Sequence, residues 1–171
     1  MAKQKKTVTV TLEVKEIVFD IQNKTHLTGE SRRADGTKDY EAAAYMQASD
    51  DDEYSYQIRR SISNAFGDLK VELGEYLNET ATTSTNKVKN EVDADGQLVL
   101  AFKLPSNFSD SSCDALGSSL HEFITARVIT EWFTITNKAD AQDYVTLAAG
   151  ALERAKKALY KRCRPKRPTY L

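Results

Sequence analysis

Residues 49–78 read SDDDEYSYQIRRSISNAFGDLKVELGEYLN and contain the clearest structural pattern in the chain. Their apolar side chains recur at helical spacing and form one continuous stripe: Tyr54, Ile58, Ile62, Ala65, Phe66, Leu69, Leu73, Tyr76 and Leu77. Such a stripe is typical of an amphipathic helix with one buried face. Ser49 or Asp50 can cap its start, and the acids at 50–53 suit the positive end of the helix dipole. The pattern predicts a helix that runs to about residue 78.

Other segments on both sides of this helix also have helical periodicity. The spacing predicts a helix over residues 15–28, where Gly29 can end it. A short helix is predicted over 38–48, and Asn137 can cap a helix that runs to about 162. A third long helix, over about 112–134, has the following apolar stripe: Cys113, Leu116, Leu120, Phe123, Ile124, Val128, Trp132 and Ile135.

Three segments have the period-two pattern of strands. Residues 7–13, TVTVTLE, alternate strictly between β-branched or apolar residues and polar ones. The segment Lys87–Val92 is a weaker strand, and it is joined through the turn Asp93–Gly96 to a strong apolar strand at 98–104. We therefore expect a β-hairpin at about 86–104 and a three-stranded antiparallel sheet.

These elements predict an α+β fold that is mainly α. It consists of an antiparallel bundle of about four helices, a small antiparallel sheet including the hairpin, and extended terminal arms. No proline- or glycine-rich linker divides the chain, so we expect a single domain over residues 1–163. Pro165 and Pro168 stop helix formation, which makes residues 164–171 an extended basic C-terminal arm.

The charge is nearly balanced overall but unevenly distributed. The formal net charge is −1, yet residues 154–167 contain eight cations and no acid. Three interpretations of this run stay open: a solvated helix end, docking onto an acidic protein surface, or contact with nucleic-acid phosphates. The candidates for facing DNA are Arg154, Lys156, Lys157 and Lys161. The candidates for contact with a partner or neighbouring subunit are Arg162, Arg164, Pro165, Lys166, Arg167, Pro168, Tyr170 and Leu171.

The pair Trp132-Phe133 is the most aromatic dipeptide of the chain. Core packing is one interpretation of it. The other is a partner-facing anchor, because tryptophan is enriched at interface hot spots.

The sequence shows no constellation for catalysis or metal binding. His26 and His121 are its only histidines, and Cys113 and Cys163 belong to no C-x-x-C pair. A phosphate-binding glycine loop is also missing. We therefore expect no enzymatic activity, no cofactor and no metal. A basic start followed by an alternating strand argues against a signal peptide, and no apolar run is long enough to cross a membrane.

In its organisation the chain resembles the small head–tail connector proteins of tailed bacteriophages, also called adaptor, head-completion or neck-ring proteins. The resemblance covers about residues 50–171. It rests on the hairpin turn at Asp95-Gly96, on the stretch 126–133 (ARVITEWF), and on residues 143–167, which are similar to the last two helices of such proteins.

This resemblance implies a homo-oligomeric ring, twelvefold in that family, around the DNA channel of a virion assembled in the host cytoplasm. Portal, tail or other neck proteins would be its partners, and the C-terminal arm would dock on one of them or on a neighbouring subunit. A tail-terminator ring stays open, because the N-terminal strand and first helix depart from the adaptor pattern. A nucleic-acid-binding accessory protein that uses the basic helix and arm is the alternative outside this class.

Overall fold

The structure is a computed structural model that describes residues 5–34, 44–49, 51–84 and 92–164. These residues form two strands and four long helices. In chain order they are β1 (Lys5–Glu13), α1 (Val14–Ala34), α2 (Asp52–Glu72), β2 (Gln97–Pro105), α3 (Cys113–Thr136) and α4 (Lys138–Tyr160). The predicted class is confirmed, since the fold is mainly α with a small antiparallel sheet.

The two strands pair antiparallel along their whole length. The register runs from Lys5 opposite Pro105 to Glu13 opposite Gln97 with one residue facing one throughout. Val8, Val10 and Leu12 are buried, whereas the threonines between them are exposed. The alternation therefore places one face of β1 on the core, as predicted.

The strand partner of β2 differs from the prediction. A hairpin with Lys87–Val92 was expected, but β2 pairs with β1, and residues 85–91 lie outside the described residues. The other edge of β2 is covered by residues 77–83. There the N–H of Asn78 donates to the carbonyl of Ala101 at 2.7 Å, and the N–H of Thr83 donates to the carbonyl of Val99 at 2.9 Å. The expected turn at Asp93–Gly96 is present, with the N–H of Gly96 donating to Asp93 at 3.0 Å.

Helix α3 lies at the centre of the molecule. It contacts α1, α2, β1 and, most extensively, α4. A helix surrounded in this way is apolar around much of its circumference, which fits its sequence. The facing side of α4 buries Ala148, Ala151, Ala155 and Ala158, and these small side chains let the two backbones approach closely.

Several predicted helix boundaries were wrong. Helix α1 continues through Gly29, which is buried, to Ala34. Helix α2 ends at Glu72 and is followed by a 3-10 turn at Gly74–Tyr76, which places the end of the apolar stripe on a separate turn. Of the predicted helix at 38–48, a helical turn at 44–46 is described and residues 38–43 lie outside the described part. Ile135, expected on the buried stripe of α3, is 80% exposed.

Candidate interaction surfaces

The start of the C-terminal segment is fixed to the body of the protein. Residues 161–163 run extended beside residues 107–109, with an antiparallel bridge between Arg162 and Phe108. The N–H of Cys163 donates to the carbonyl of Asn107 at 2.8 Å, and the N–H of Ser109 donates to Lys161 at 3.2 Å. The last described residue, Arg164, is exposed. Of the predicted arm, Pro165, Lys166, Arg167, Pro168, Tyr170 and Leu171 lie outside the described residues.

Arg162 caps α4 within its own chain. Its Nη1 donates to the carbonyl of Leu159 at 2.6 Å and to that of Lys161 at 3.2 Å, where helix carbonyls lack partners. Beside it the rings of Tyr76 and Tyr160 meet edge to face at 5.6 Å between centroids. Burial, and then the hydrogen bond with Tyr160, raise the pKa of Tyr76 to about 12. The end of α4 is thereby anchored to the turn that follows α2.

Most of the basic residues proposed to face DNA are paired with carboxylates. Arg154 donates to Glu122 of α3. Lys156 contacts Glu72 of α2 at 2.7 Å, and Lys157 lies 3.4 Å from Glu153 on its own helix. Lys161 is exposed, and its carbonyl accepts the bond from Ser109. The fold thus brings Glu122 and Glu72 from other helices against residues 154–167, a run that contains no acid of its own.

The two aromatic residues of α3 have different surroundings. Phe133 is fully buried and packs edge to face on Tyr144 with centroids 5.5 Å apart. It offers no surface to a partner in this conformation, so core packing accounts for it and its assignment as an interaction residue is corrected. Trp132 is partly buried; its Nε1–H donates to the carbonyl of Met46 at 2.8 Å, and its ring meets Tyr54 at 5.4 Å. Its main observed role is to hold residues 44–49 against α3.

A groove between α2, α3 and α4 was not anticipated from the sequence. It has a volume of about 360 Å³ and is lined by Asp68, Val71, Glu72, Phe123, Arg127, Thr130, Val145, Ala148 and Leu152. Val71 is 83% exposed at its edge. Ion pairs across its rim join Asp68 to Arg127 at 3.3 Å and Glu72 to Lys156. The available sequence signal was the position of Val71 outside the apolar stripe of α2.

A second cavity, of about 310 Å³, lies between the end of α2 and the segment that covers β2. Lys70 lines it, and its ammonium group lies 5.1 Å from the centre of the Phe66 ring. Burial lowers the pKa of Lys70. Its Nζ also donates to the carbonyl of Thr83 at 3.5 Å, which gives this lysine a structural contact.

Two further properties concern the described residues alone. They contain no group of three or more histidine, cysteine and acidic side chains arranged to hold a metal ion. None of their helices combines the length and the apolar character that crossing a membrane requires.

Both cysteines are free thiols, and burial, the largest cause, raises the pKa of Cys113.

Comparison of the chain with protein-family models, with curated proteins and with solved structures finds no match.

Proposed function

We propose that this chain is a non-enzymatic structural protein of a bacteriophage virion, a head–tail connector or neck-ring subunit that joins portal and tail around the DNA channel. The proposal comes from the resemblance of residues 126–133 and 143–167 to the last two helices of such proteins. In the fold residues 126–133 lie on α3 and residues 143–160 lie on α4, and these two helices pack against each other. The ring would be twelvefold, as in the family that the chain resembles.

One observation carries the proposed docking role of the C-terminal segment. The bonds between residues 161–163 and 107–109 fix the place from which the basic segment departs. A docking segment gains affinity when its attachment point is rigid, because less conformational freedom is lost on binding. Arg164 thus leaves the body from a defined position, and in this proposal an acidic surface of a neighbour receives it together with the basic residues that follow in the sequence.

The nucleic-acid-binding alternative has weaker support from the geometry. Arg154, Lys156 and Lys157 each contact a carboxylate, which lowers the positive potential of this face of α4. Phosphate binding would have to break those ion pairs or use the segment beyond Arg164. A tail-terminator ring remains the alternative within the virion class.

Deletion of residues 165–171 tests the proposal. The cut leaves residues 161–163 on their partners, so the fold should be unchanged by circular dichroism. With the portal and tail proteins encoded by the same genome, we expect the full chain to form rings in negative-stain images and the shortened chain to stay unassembled. A chain lacking residues 2–4 is the control. Normal ring formation by the shortened chain would disprove the docking role, and absence of the full chain from purified particles would disprove the virion role.

A further inference from the structure

The outer edge of β1 can be worked out from the bonds on β2. In a strand the N–H and C=O of one residue point to the same side, and successive residues alternate. Val99 and Ala101 turn theirs toward residues 77–83: their carbonyls accept from Thr83 and Asn78, and their N–H groups donate to threonine hydroxyls at 2.9 and 3.3 Å. The residues between them therefore bond to β1.

The register then assigns each residue of β1 to an edge. Val8, Val10 and Leu12 lie opposite Phe102, Leu100 and Leu98, so their backbone groups are used within the sheet. The alternate residues turn their N–H and C=O groups away from β2: Lys5, Thr7, Thr9, Thr11 and Glu13. Within the described part of the chain, no backbone hydrogen bond outside the β1–β2 ladder reaches these groups.

Within the residues that the structure describes, this edge lacks the usual protection against pairing. Natural edge strands are commonly short, bulged, interrupted by proline or charged along their length. β1 has nine residues, contains no proline and pairs with β2 without a bulge. Its charged residues stand at the two ends, and three exposed threonines occupy the middle of its outward-facing set.

The sequence of β1 is complementary to itself in one antiparallel register. If Thr9 faces the partner's Thr9, then Lys5 faces the partner's Glu13 and Thr7 faces the partner's Thr11. On the core side Val8 then faces the partner's Val10. In this register the backbone hydrogen bonds between the two copies of β1 are formed by the residues whose N–H and C=O groups point away from β2. Shifting it by two residues places a threonine opposite Lys5 or Glu13 and loses the charge pairing.

We propose that a second copy of this chain adds its β1 to this edge around a two-fold axis at Thr9, giving one continuous four-stranded sheet. Each half then gains ladder hydrogen bonds, threonine pairs and two opposite-charge pairs across the axis. Glu13 also contacts Gln97 at 3.0 Å and Lys15 at 3.6 Å, yet its side chain is 40% exposed and remains accessible to lysine.

This pairing does not depend on the connector proposal. A two-fold contact is isologous, with the same surface used by both copies, whereas a ring of identical subunits closes through heterologous contacts. An experiment that disproves one of the two proposals therefore leaves the other unaffected.

Charge exchange on β1 tests the pairing by sedimentation equilibrium. The wild-type protein should reach twice the monomer mass as its concentration rises. Lys5→Glu places like charges opposite each other twice and should raise the dimer dissociation constant about tenfold. Adding Glu13→Lys to it should restore the wild-type value, although these two residues are at opposite ends of the strand within one chain. Lys103→Glu on β2, which changes the same charge on an exposed lysine of the same sheet, is the matched control and should have no effect.

A cysteine experiment tests the register. In a Cys163→Ser background, Thr9→Cys should oxidise to a disulfide-linked dimer, because facing Cα atoms of a hydrogen-bonded pair lie about 5.5 Å apart, within disulfide range. Thr7→Cys should not, since it faces the partner's Thr11. A monomer at all concentrations, a dimer indifferent to Lys5→Glu, or cross-linking through Thr7→Cys in place of Thr9→Cys would each overturn the proposal.

Discussion

Trp132 connects two distant parts of the chain through one hydrogen bond, from its indole N–H to the carbonyl of Met46. Trp132→Phe keeps a ring against Tyr54 but removes the donor, so we expect the free energy of unfolding to fall by about 1 kcal/mol. Ile135→Ala, on a side chain that is 80% exposed on the same helix, should change it by less than ~0.5 kcal/mol. Urea denaturation measures both values. Equal effects of the two substitutions would contradict a structural role for the indole.

Asp140 couples the start of α4 to α1. Hydrogen bonds from the Arg32 guanidinium hold the pKa of Asp140 below its ordinary 3.8; burial opposes this, and a bond from Asn137 adds to it. A lowered folded pKa stabilises the protein fully above the unfolded value, and this stabilisation is lost as the pH falls through the folded pKa. Asp140→Asn should therefore be less stable than wild type at pH 7 by about 1 kcal/mol, and the gap should close below pH 4.

The control for this pH dependence is Asp143→Asn, which changes an exposed carboxylate in the second turn of the same helix. Thermal unfolding followed from pH 7 to pH 3 compares the three proteins. A gap between wild type and Asp140→Asn that stays constant over this range would rule out the carboxylate charge as the cause.

At the scale of elements, threonine hydroxyls complete the edge of β2. The hydroxyl of Thr83 accepts from the N–H of Val99 at 2.9 Å. Thr83→Val has nearly the same shape but leaves that N–H without its acceptor, which should cost about 1–2 kcal/mol of stability and speed hydrogen exchange at Val99. Thr83→Ser should retain the protection. Thr80→Val, which removes an exposed hydroxyl bonded to Asn78, is the control, and an equal effect there would argue against edge capping.

The strand β2 shows which parts of the fold could be predicted from the sequence and which could not. Apolar periodicity identified α2, α3 and α4 and the strand 98–104, because each of these buries one defined set of side chains. It did not identify the partner of that strand, since alternation specifies a buried face and leaves the neighbour open. The prediction that Gly29 ends α1 was also wrong. Thr25 is fully buried there and its hydroxyl accepts the N–H of Ala48, so tertiary contacts outweigh the local cost of glycine.

At the scale of the whole molecule, the basic run was predicted as a surface but its pairing was not. Glu122 and Glu72 lie 32 and 84 residues from the cations that they contact, and no local pattern relates them. Trp132 and Phe133 are adjacent in sequence but differ in exposure. They point to different sides of α3, and the packing of α3 against its neighbours determines which side is buried. Residue type in the sequence could therefore suggest candidate interaction residues. Whether each side chain is exposed and unpaired enough to meet a partner depends on the tertiary structure.

The pairing of these cations has a measurable consequence for nucleic-acid affinity. Glu72→Gln with Glu122→Gln would release Lys156 and Arg154 from their partners. If these carboxylates mask α4, duplex DNA should bind the double variant more tightly than wild type. The slope of log K against log salt concentration should steepen by about two, at roughly 0.9 for each added phosphate contact.

The matched control is the double variant Glu16→Gln with Glu53→Gln. It changes the net charge by the same amount, but at exposed acids in the first turns of α1 and α2. It should shift the affinity slightly through the overall charge and leave the salt slope unchanged, because no cation of α4 is released. Fluorescence anisotropy with labelled duplex across a salt series separates the two effects. Identical slopes for the two double variants would mean that the acids on α2 and α3 do not mask the cations of α4, and the nucleic-acid alternative would then regain support.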